Sequence, residues 1–527
     1  MNIAALHTQG SAKTMVDEPS GRRPRGWSIC RGKLVYVWLS LLLLTLGFSF
    51  QGTRGLWNTD EGRYVDNALQ MVDSGDYSVP AYSADHENFT KPPLTLWAIA
   101  AAVRVMGRNT WAVRTPSALA FVLTALLLCA MGARLLPGKA WLPGLVYGCT
   151  VAPFIAGNVV STDDLLALCV ALAMWGFVQA AFGTTEEDRR LPVLAMWLGF
   201  GLAFLAKGPP GLLPLLAIVV FIARRDGMRG LRRFFPWLGV ALFVVVGFAW
   251  YAIVILRYPQ LLDYFLKYEV FDRVFTSEHG RNPQWYGWLV AFGPVFVFGT
   301  LPWWPMLGPE LKAALLPRNW RRWWHEGSPA LFLALWLALP LLVLCIARSR
   351  LPVYALPLFQ PMALMIALAL RDRINLVSWR QRLMLGMWVV LLLAIKGGVA
   401  LYAHPLRDDR VFARQLASTV GERDYSAIAF VAAADNTVTS VEHTPWGMRL
   451  YLDKPVYDIA WRIPGSAQQI CRLSDRHPSL LLVVEGSIDR AVMPAVLAQC
   501  PQRQHVELGS FLTKNVVLLQ REAALVP

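Results

Sequence analysis

Long apolar runs separated by short charged clusters organise this chain as far as residue 402. Leu34–Phe50, Pro209–Ala223, Phe235–Leu256 and Leu383–Leu401 approach or reach the roughly 20 residues that cross a bilayer. Repeated along the chain, the pattern predicts spans at 34–50, 113–133, 141–160, 163–182, 191–206, 209–223, 235–256, 286–306, 329–346, 352–370 and 383–402. Leu94–Met106 is too short for a span and contains Arg104, so it is expected as a helix lying at the membrane interface. After residue 402 the pattern changes. Tyr425–Ala434 (YSAIAFVAAA) and Ser479–Gly486 (SLLLVVEG) read as short buried strands. Ala491–Cys500 (AVMPAVLAQC) reads as a helix and Lys514–Glu522 (KNVVLLQRE) as a last strand. The expected fold is an all-α polytopic membrane protein of about 11–13 transmembrane helices with a C-terminal soluble α/β domain. Its parts are a cytoplasmic tail (1–33), a membrane domain (34–403) whose first outside loop is 51–112, and the soluble domain (404–527).

Composition supports this reading. Of 527 residues, 55% are hydrophobic and 16% charged, against about 25% charged in an average soluble protein. The net charge of +15 would suit nucleic acid. The basic residues instead fall in short clusters between apolar runs (Arg134/Lys139, Arg189-Arg190, Arg224-Arg225, Arg232-Arg233, Lys312 to Arg322, Arg371 to Arg382), as cytoplasmic loops do. A bilayer is therefore the expected partner, and nucleic acid is not. With the N-terminus inside, residues 51–112, 161–162, 207–208, 257–285, 347–351 and everything after 402 share the outer face. Cys471 and Cys500 could bridge if that face is oxidising, and no metal-type cysteine spacing occurs.

The outer face also gathers the candidate chemistry. Asp60 and Glu61, followed by Arg63 and Tyr64, could supply a general base for a hydroxyl. Lys91 precedes two prolines that fix the chain direction. Asp163 and Asp164 open a span, where helix capping is an equally good reason for them. Lys207 stands between two apolar helices, a costly place unless it faces water or an anion. His279 could ligate a metal, donate to a phosphate or be an ordinary loop residue, and Arg281 lies beside it. Arg350 and Tyr354 occupy an outer edge that the charge rule keeps poor in arginine, which asks for an anionic partner. Lys91, Lys207, Arg281 and Arg350 suit a phosphate, and a carboxylate suits an alcohol nucleophile.

The motifs DEGRY, MVDSGDYSVP, FTKPPLTLW, STDDLL, GLAFLAKGPPGLL, EHGR, WYGW, LPWWP and RSRLPVYALPLFQPMAL occur in order over residues 34–370. In this the chain resembles the aminoarabinose transferase family, bacterial relatives of the protein O-mannosyltransferases with the membrane-embedded GT-C glycosyltransferase fold. The resemblance implies an inverting glycosyltransferase. It would move a sugar from a polyprenyl-phosphate donor to an envelope acceptor, lipid A or a related glycan, at the periplasmic face of the bacterial inner membrane. It places Asp60 at the reaction centre, with Glu61 beside it, Arg63 and Tyr64 next to it, and Asp163 as a second acid near the pocket. It puts Lys91 and Lys207 on the donor phosphate, and His279 and Tyr354 at matching family positions. Two departures stand out. The family commonly has Glu before the KPP lysine, where it helps to hold a divalent metal; here it is Thr90, so no metal or other cofactor is expected. The basic residue before the LP.Y motif is commonly Lys and here is Arg350. A protein O-glycosyltransferase acting on exported proteins would share every motif. A lipid-linked sugar flippase would instead need polar residues through the middle of several spans.

Overall fold

The computed structural model describes residues 25–57, 60–83, 86–183, 189–267, 281–308, 312, 316–374, 376–402 and 407–521. The membrane part begins with α1 (Arg25–Phe48), followed by α2 (Asp60–Ser74), the short strands β1 (Ala81–Ser83) and β2 (His86–Glu87), and α3 (Leu94–Met106). Next come α4 (Thr110–Leu135), α5 (Leu142–Gly148), α6 (Val151–Ala156), α7 (Thr162–Ala181), α8 (Arg190–Lys207), α9 (Leu213–Phe234) and α10 (Trp237–Arg257). Then follow α11 (Gly287–Gly299), α12 (Pro317–Glu326), α13 (Pro329–Ile346), α14 (Phe359–Ala369) and α15 (Trp379–Gly398). Each expected span falls on helical structure, and the chain is a polytopic helical membrane domain carrying a C-terminal α/β domain. Among the described residues, seven helices are long and apolar enough to cross a membrane.

Local chemistry sets the helix starts. Asn109 accepts from Ala112 N at the start of α4, and Ser161 accepts from Asp163 N at the start of α7. Each cap satisfies one of the orphan amides of a first turn.

The expected span 141–160 is not one helix. It breaks between α5 and α6 at Cys149–Thr150, where the freed backbone groups find remote partners. Trp388 Nε1 donates to Cys149 O at 2.8 Å, Trp303 Nε1 donates to Val146 O at 3.2 Å, and Val151 N donates to Leu301 O at 3.2 Å. Irregular backbone at membrane depth survives only when protein satisfies it in this way. The segment 286–306 likewise stops being α-helical at Gly299, before the cis Leu301–Pro302 bond.

The C-terminal domain comprises α16 (Asp409–Val420), β3 (Ala427–Ala432), α17 (Thr437–His443), α18 (Met448–Leu452), β4 (Val456–Ala460), α19 (Ser466–Arg476), β5 (Ser479–Glu485), α20 (Asp489–Gln499), β6 (Arg503–Phe511) and β7 (Lys514–Arg521). The sheet order is β4-β3-β5-β7-β6, with β3 parallel to β4 and β5, and β7 antiparallel to β5 and β6. Three of its strands were expected; β4 and β6 were not. A disulfide joins Cys471 on α19 to Cys500 just after α20.

The two ends of the membrane part differ as the charge pattern requires. At one end Arg225 Nη1 donates to Ala181 O at 3.1 Å, Arg373 Nη1 to Met306 O at 2.9 Å, and Lys139 Nζ to Ile374 O at 2.8 Å. At the other end the predicted outer segments meet. Val160 N donates to Glu61 at 2.9 Å, Arg257 pairs with Asp76 at 2.7 Å, and Arg350 N donates to Arg281 O at 2.9 Å. The C-terminal domain docks on this second end. Asp408 caps α16 and also accepts from Gly55 N at 2.9 Å, while Leu56 N donates to the Tyr451 hydroxyl at 2.8 Å.

Candidate active site

A cavity of about 520 Å³ opens between α7, α8, α10 and α13. Its walls are apolar, from Leu166, Phe204, Phe248, Trp336 and their neighbours. Its polar head is Asp163, Lys207, Tyr354 and Thr90. Lys207 is the last residue of α8. Gly208 follows at φ 75°, a left-handed conformation that favours glycine, and Pro209-Pro210 prevents the helix from continuing. Asp163 lies in the first turn of α7, where the helix dipole favours a carboxylate. The two side chains form an ion pair, 8% and 5% exposed respectively. The Lys207 ammonium also lies 4.2 Å from the centre of the Tyr354 ring, close enough for a cation–π contact.

Asp60 is the exposed first residue of α2, outside the cavity lining, and is paired with Arg63 three residues on. Arg63 also bonds the Tyr82 side chain. Tyr64 connects the two groups: its hydroxyl shares a hydrogen bond with the Thr162 side chain and lies near Asp60 and Asp163. Burial first, then the Asp60 charge, pushes the Tyr64 hydroxyl well above the usual phenol range. It stays protonated and can donate.

The catalytic role expected of Glu61 is corrected by its surroundings. Glu61 is buried and accepts from Arg54 at 2.6 and 3.0 Å, Arg114 at 3.0 and 3.2 Å, Trp57 N at 2.8 Å and Val160 N at 2.9 Å. Burial alone would raise its pKa; Arg114 and Arg54 outweigh it and hold the group at about 2. With every oxygen occupied, Glu61 ties α2 to α4 and to the start of α7.

Arg350 is corrected on the same grounds. Its Nη1 donates to Asn282 O and Gln284 O, both at 2.8 Å, and its Nη2 donates to Cys345 O at 2.9 Å. The guanidinium therefore staples the turn before α11 rather than facing an anion. A Cβ at Gly287 would lie 2.1 Å from Asn282 O and 2.9 Å from Arg350 Nη1, so this turn admits only glycine. Arg281 does not join the cavity head either; its Nη2 faces Glu442 of the C-terminal domain at 3.8 Å. Lys91 Nζ donates to Thr90 O at 3.0 Å, and Thr90 and Pro92 on either side of it line the cavity. His279 lies outside the described residues. Thr90 is exposed and its hydroxyl donates to Asn88 Oδ1 at 2.7 Å. Among the described residues no three His, Cys, Asp or Glu side chains cluster as metal ligands.

Sequence reasoning missed Arg54 and Arg114. Arg114 is 1% exposed and also donates to Gln51 O, Arg54 O and Gly55 O at 2.7–3.0 Å. An arginine in the first turn of an otherwise apolar span was the available signal, because such a charge needs a buried partner.

Comparison with known proteins places this geometry. Residues 90–252 match the family of dolichyl-phosphate-mannose-protein mannosyltransferases. The undecaprenyl phosphate-alpha-4-amino-4-deoxy-L-arabinose arabinosyl transferase of Aeromonas salmonicida (strain A449) is 32% identical over 327 residues, 60% of this chain and 57% of that protein. Its namesake from Enterobacter sp. (strain 638) is 25% identical over 418 residues, 75% of this chain and 72% of that protein. The match thus spans little more than half the length of the Aeromonas relative. The crystal structure of ArnT from Cupriavidus metallidurans bound to undecaprenyl phosphate has the same fold, with a TM-score of 0.68 at 19% identity over 94% of this chain and 98% of that one. This chain is similar in sequence to these arabinosyl transferases and has the fold of the Cupriavidus structure. The resemblance read from the ordered motifs is borne out. With seven long apolar helices among the described residues, it is a multi-pass membrane protein.

Proposed function

We propose that the protein is an inverting glycosyltransferase that moves a sugar from a polyprenyl-phosphate donor to an envelope glycolipid at the periplasmic face. The observation that carries this reading is the buried Lys207–Asp163 pair at the head of an otherwise apolar cavity. A cation held ready at the end of a lipid-sized apolar slot suits a phosphate attached to an isoprenoid chain. The relatives' names and the undecaprenyl phosphate bound to the Cupriavidus protein support the same donor.

In this mechanism the isoprenoid lies among Phe204, Phe248 and Trp336, and its phosphate meets Lys207 beside Tyr354. The acceptor oxygen attacks the anomeric carbon from the face opposite the phosphate. The bond from the anomeric carbon to the phosphate oxygen breaks, and polyprenyl phosphate leaves with its new negative charge against Lys207. Asp60 takes the proton of the acceptor group. Arg63 aims the Asp60 carboxylate, and Tyr64 holds the start of α7 in place through Thr162. No step requires a metal.

The test is sugar transfer in membranes supplied with radiolabelled polyprenyl-phosphate sugars, for wild type and Asp60→Asn. Transfer by wild type that is lost in the variant at equal protein level supports the reading. Equal transfer by both removes Asp60 from the mechanism, and no transfer by wild type from any of the sugars removes the enzyme.

A further inference from the structure

Tyr82 of β1 belongs to the first outside loop, yet the C-terminal domain holds it. Its ring stacks on that of Trp446, with centres 4.4 Å apart and planes 24° from parallel. Arg449 Nη2 donates to the Tyr82 carbonyl at 3.0 Å. The His86 ring meets the Tyr82 ring edge-on at 5.3 Å between centres, and Asp458 of β4 holds His86, Nδ1 to Oδ1 at 3.0 Å. Trp446 itself is fully buried between α17 and α18, and its Nε1 donates to Val441 O at 2.9 Å, which fixes the plane of the indole. The orientation of Tyr82 is thus set from across the domain boundary.

Packing alone accounts for a buried aromatic pair at such a boundary. It does not account for where the Tyr82 hydroxyl ends. That oxygen accepts from Arg63 of α2, and Arg63 pairs with Asp60 one turn earlier. Burial, the main cause, pushes the Tyr82 hydroxyl up to about 12, so it stays a neutral partner for the guanidinium. The Asp60 side chain is 66% exposed and has little packing of its own to orient it, whereas that of Arg63 is 22% exposed. Arg63 therefore aims the carboxylate, and Tyr82 fixes where Arg63 can be.

The turn that carries Trp446 also touches α2 directly. A Cβ on Gly62 would lie 2.8 Å from Gly447 N and 3.4 Å from Trp446 C, so helix and turn are in backbone contact two residues from Asp60. Stack and carboxylate are held at a set distance by this contact.

We propose that Tyr82 and Trp446 are positioning residues for the transfer reaction. Through the Trp446 stack the C-terminal domain holds the Tyr82 hydroxyl where it aligns Arg63, and hence Asp60, with the acceptor oxygen. This rests on the transferase reading above and adds that the C-terminal domain is part of the reaction centre. Both residues act through Arg63, not on the reacting atoms.

The experiment is steady-state sugar transfer in membranes, which hold the native acceptor, from radiolabelled polyprenyl-phosphate sugars. Tyr82→Phe keeps the ring and its stack and removes only the oxygen that Arg63 grips. Its kcat is expected to fall by about 10–10²-fold, the scale of a misplaced catalytic group. Its donor KM and its thermal midpoint should not move, because donor binding and packing are untouched. In an Arg63→Met background Tyr82→Phe should cause no further loss, since the group it acts through is already gone. Trp446→Phe should keep the stack and most of the turnover, and Trp446→Leu should lose about as much as Tyr82→Phe does. If Trp446→Leu does not fold, Tyr82→Phe with and without Arg63→Met decides the matter. Wild-type kcat in Tyr82→Phe, or a loss that multiplies with that of Arg63→Met, overturns the positioning role while leaving the transferase reading intact. Absence of transfer by wild type from every sugar overturns the transferase reading and this one with it.

Discussion

Arg449 of the C-terminal domain donates from Nε to Asp66 of the first outside loop at 2.6 Å, with side chains 4% and 0% exposed. The same guanidinium reaches Gln70 Oε1 at 2.6 Å and Tyr82 O at 3.0 Å. Burial would lower its pKa, but Asp66 and Asp73 beside it outweigh that and raise it, so it stays charged. The acids of the first outside loop are therefore mostly scaffold. Glu61 binds Arg54 and Arg114, Asp66 and Asp73 bind Arg449, Asp76 binds Arg257, and Asp60 remains exposed beside Arg63. The acid proposed for catalysis and the groups that dock the C-terminal domain thus belong to one helix, α2.

Arg449→Met should therefore separate the domain from α2. Breaking a buried pair by removing one partner leaves a charge uncompensated and costs about 3–5 kcal/mol. A clear drop in the thermal unfolding midpoint of the detergent-solubilised protein is expected. The double variant Arg449→Met/Asp66→Asn should recover part of it, because the orphaned charge is gone. An unchanged midpoint would show that the pair does not hold the domain.

Asp60 and Glu61 are neighbours with opposite assignments, which kinetics and stability can separate. Asp60→Asn should lower transfer by about 10²–10⁴-fold, the range of general-base contributions, with unfolding unchanged. Glu61→Gln should do the reverse: a midpoint lowered by loss of the charge facing two arginines, with turnover per folded molecule retained. If Glu61→Gln folded as well as wild type but lost turnover, the scaffold assignment would be wrong.

Lys207→Met should lower transfer by about 10²–10³-fold, as loss of a charge stabiliser at a developing anion does. It also leaves Asp163 buried without its partner. Lys207→Met/Asp163→Asn should therefore regain thermal stability yet stay inactive. Recovery of transfer in the double variant would reduce Lys207 to a neutraliser of Asp163.

The sequence made some of this legible and concealed the rest for identifiable reasons. Lys207, Asp163 and Tyr354, which the structure brings together at one cavity, could be singled out because a charge inside or beside an apolar run has few explanations. Glu61 and Arg350 were misassigned because sequence displays a charge but not its partner, and here the partners are Arg114, 53 residues away, and the carbonyls of a turn 66–68 residues away. The break at Cys149–Thr150 was invisible because Trp303 and Trp388, far along the chain, satisfy it. Strand β6 escaped notice because it is largely exposed, without the apolar run that marked β3 and β5. The order of spans was readable because a bilayer imposes length and apolarity on each one.

Asp409 gives the docking interface a dependence on pH. Its side chain is buried and accepts from Gly447 N at 2.9 Å, at the point where Gly62 of α2 meets the same turn. Burial is the main cause that raises its pKa from the usual carboxylate range to about 8; the nearby Asp408 and Glu61 charges add to it, and the Gly447 amide opposes it. A carboxyl whose folded pKa lies above its unfolded value contributes stability that is fully present below the unfolded pKa. That contribution falls as pH rises between the two values and is gone once pH passes the folded one. Wild type should therefore lose stability between about pH 4 and pH 8 through this residue. In Asp409→Asn the amide oxygen keeps the bond to Gly447 and nothing titrates. The variant's midpoint, measured at several pH values across that window, should equal that of wild type near the acid end and exceed it near the alkaline end. Parallel curves for the two proteins would mean that Asp409 is ionised in the folded state throughout, and that its carboxylate has a partner at the interface other than Gly447.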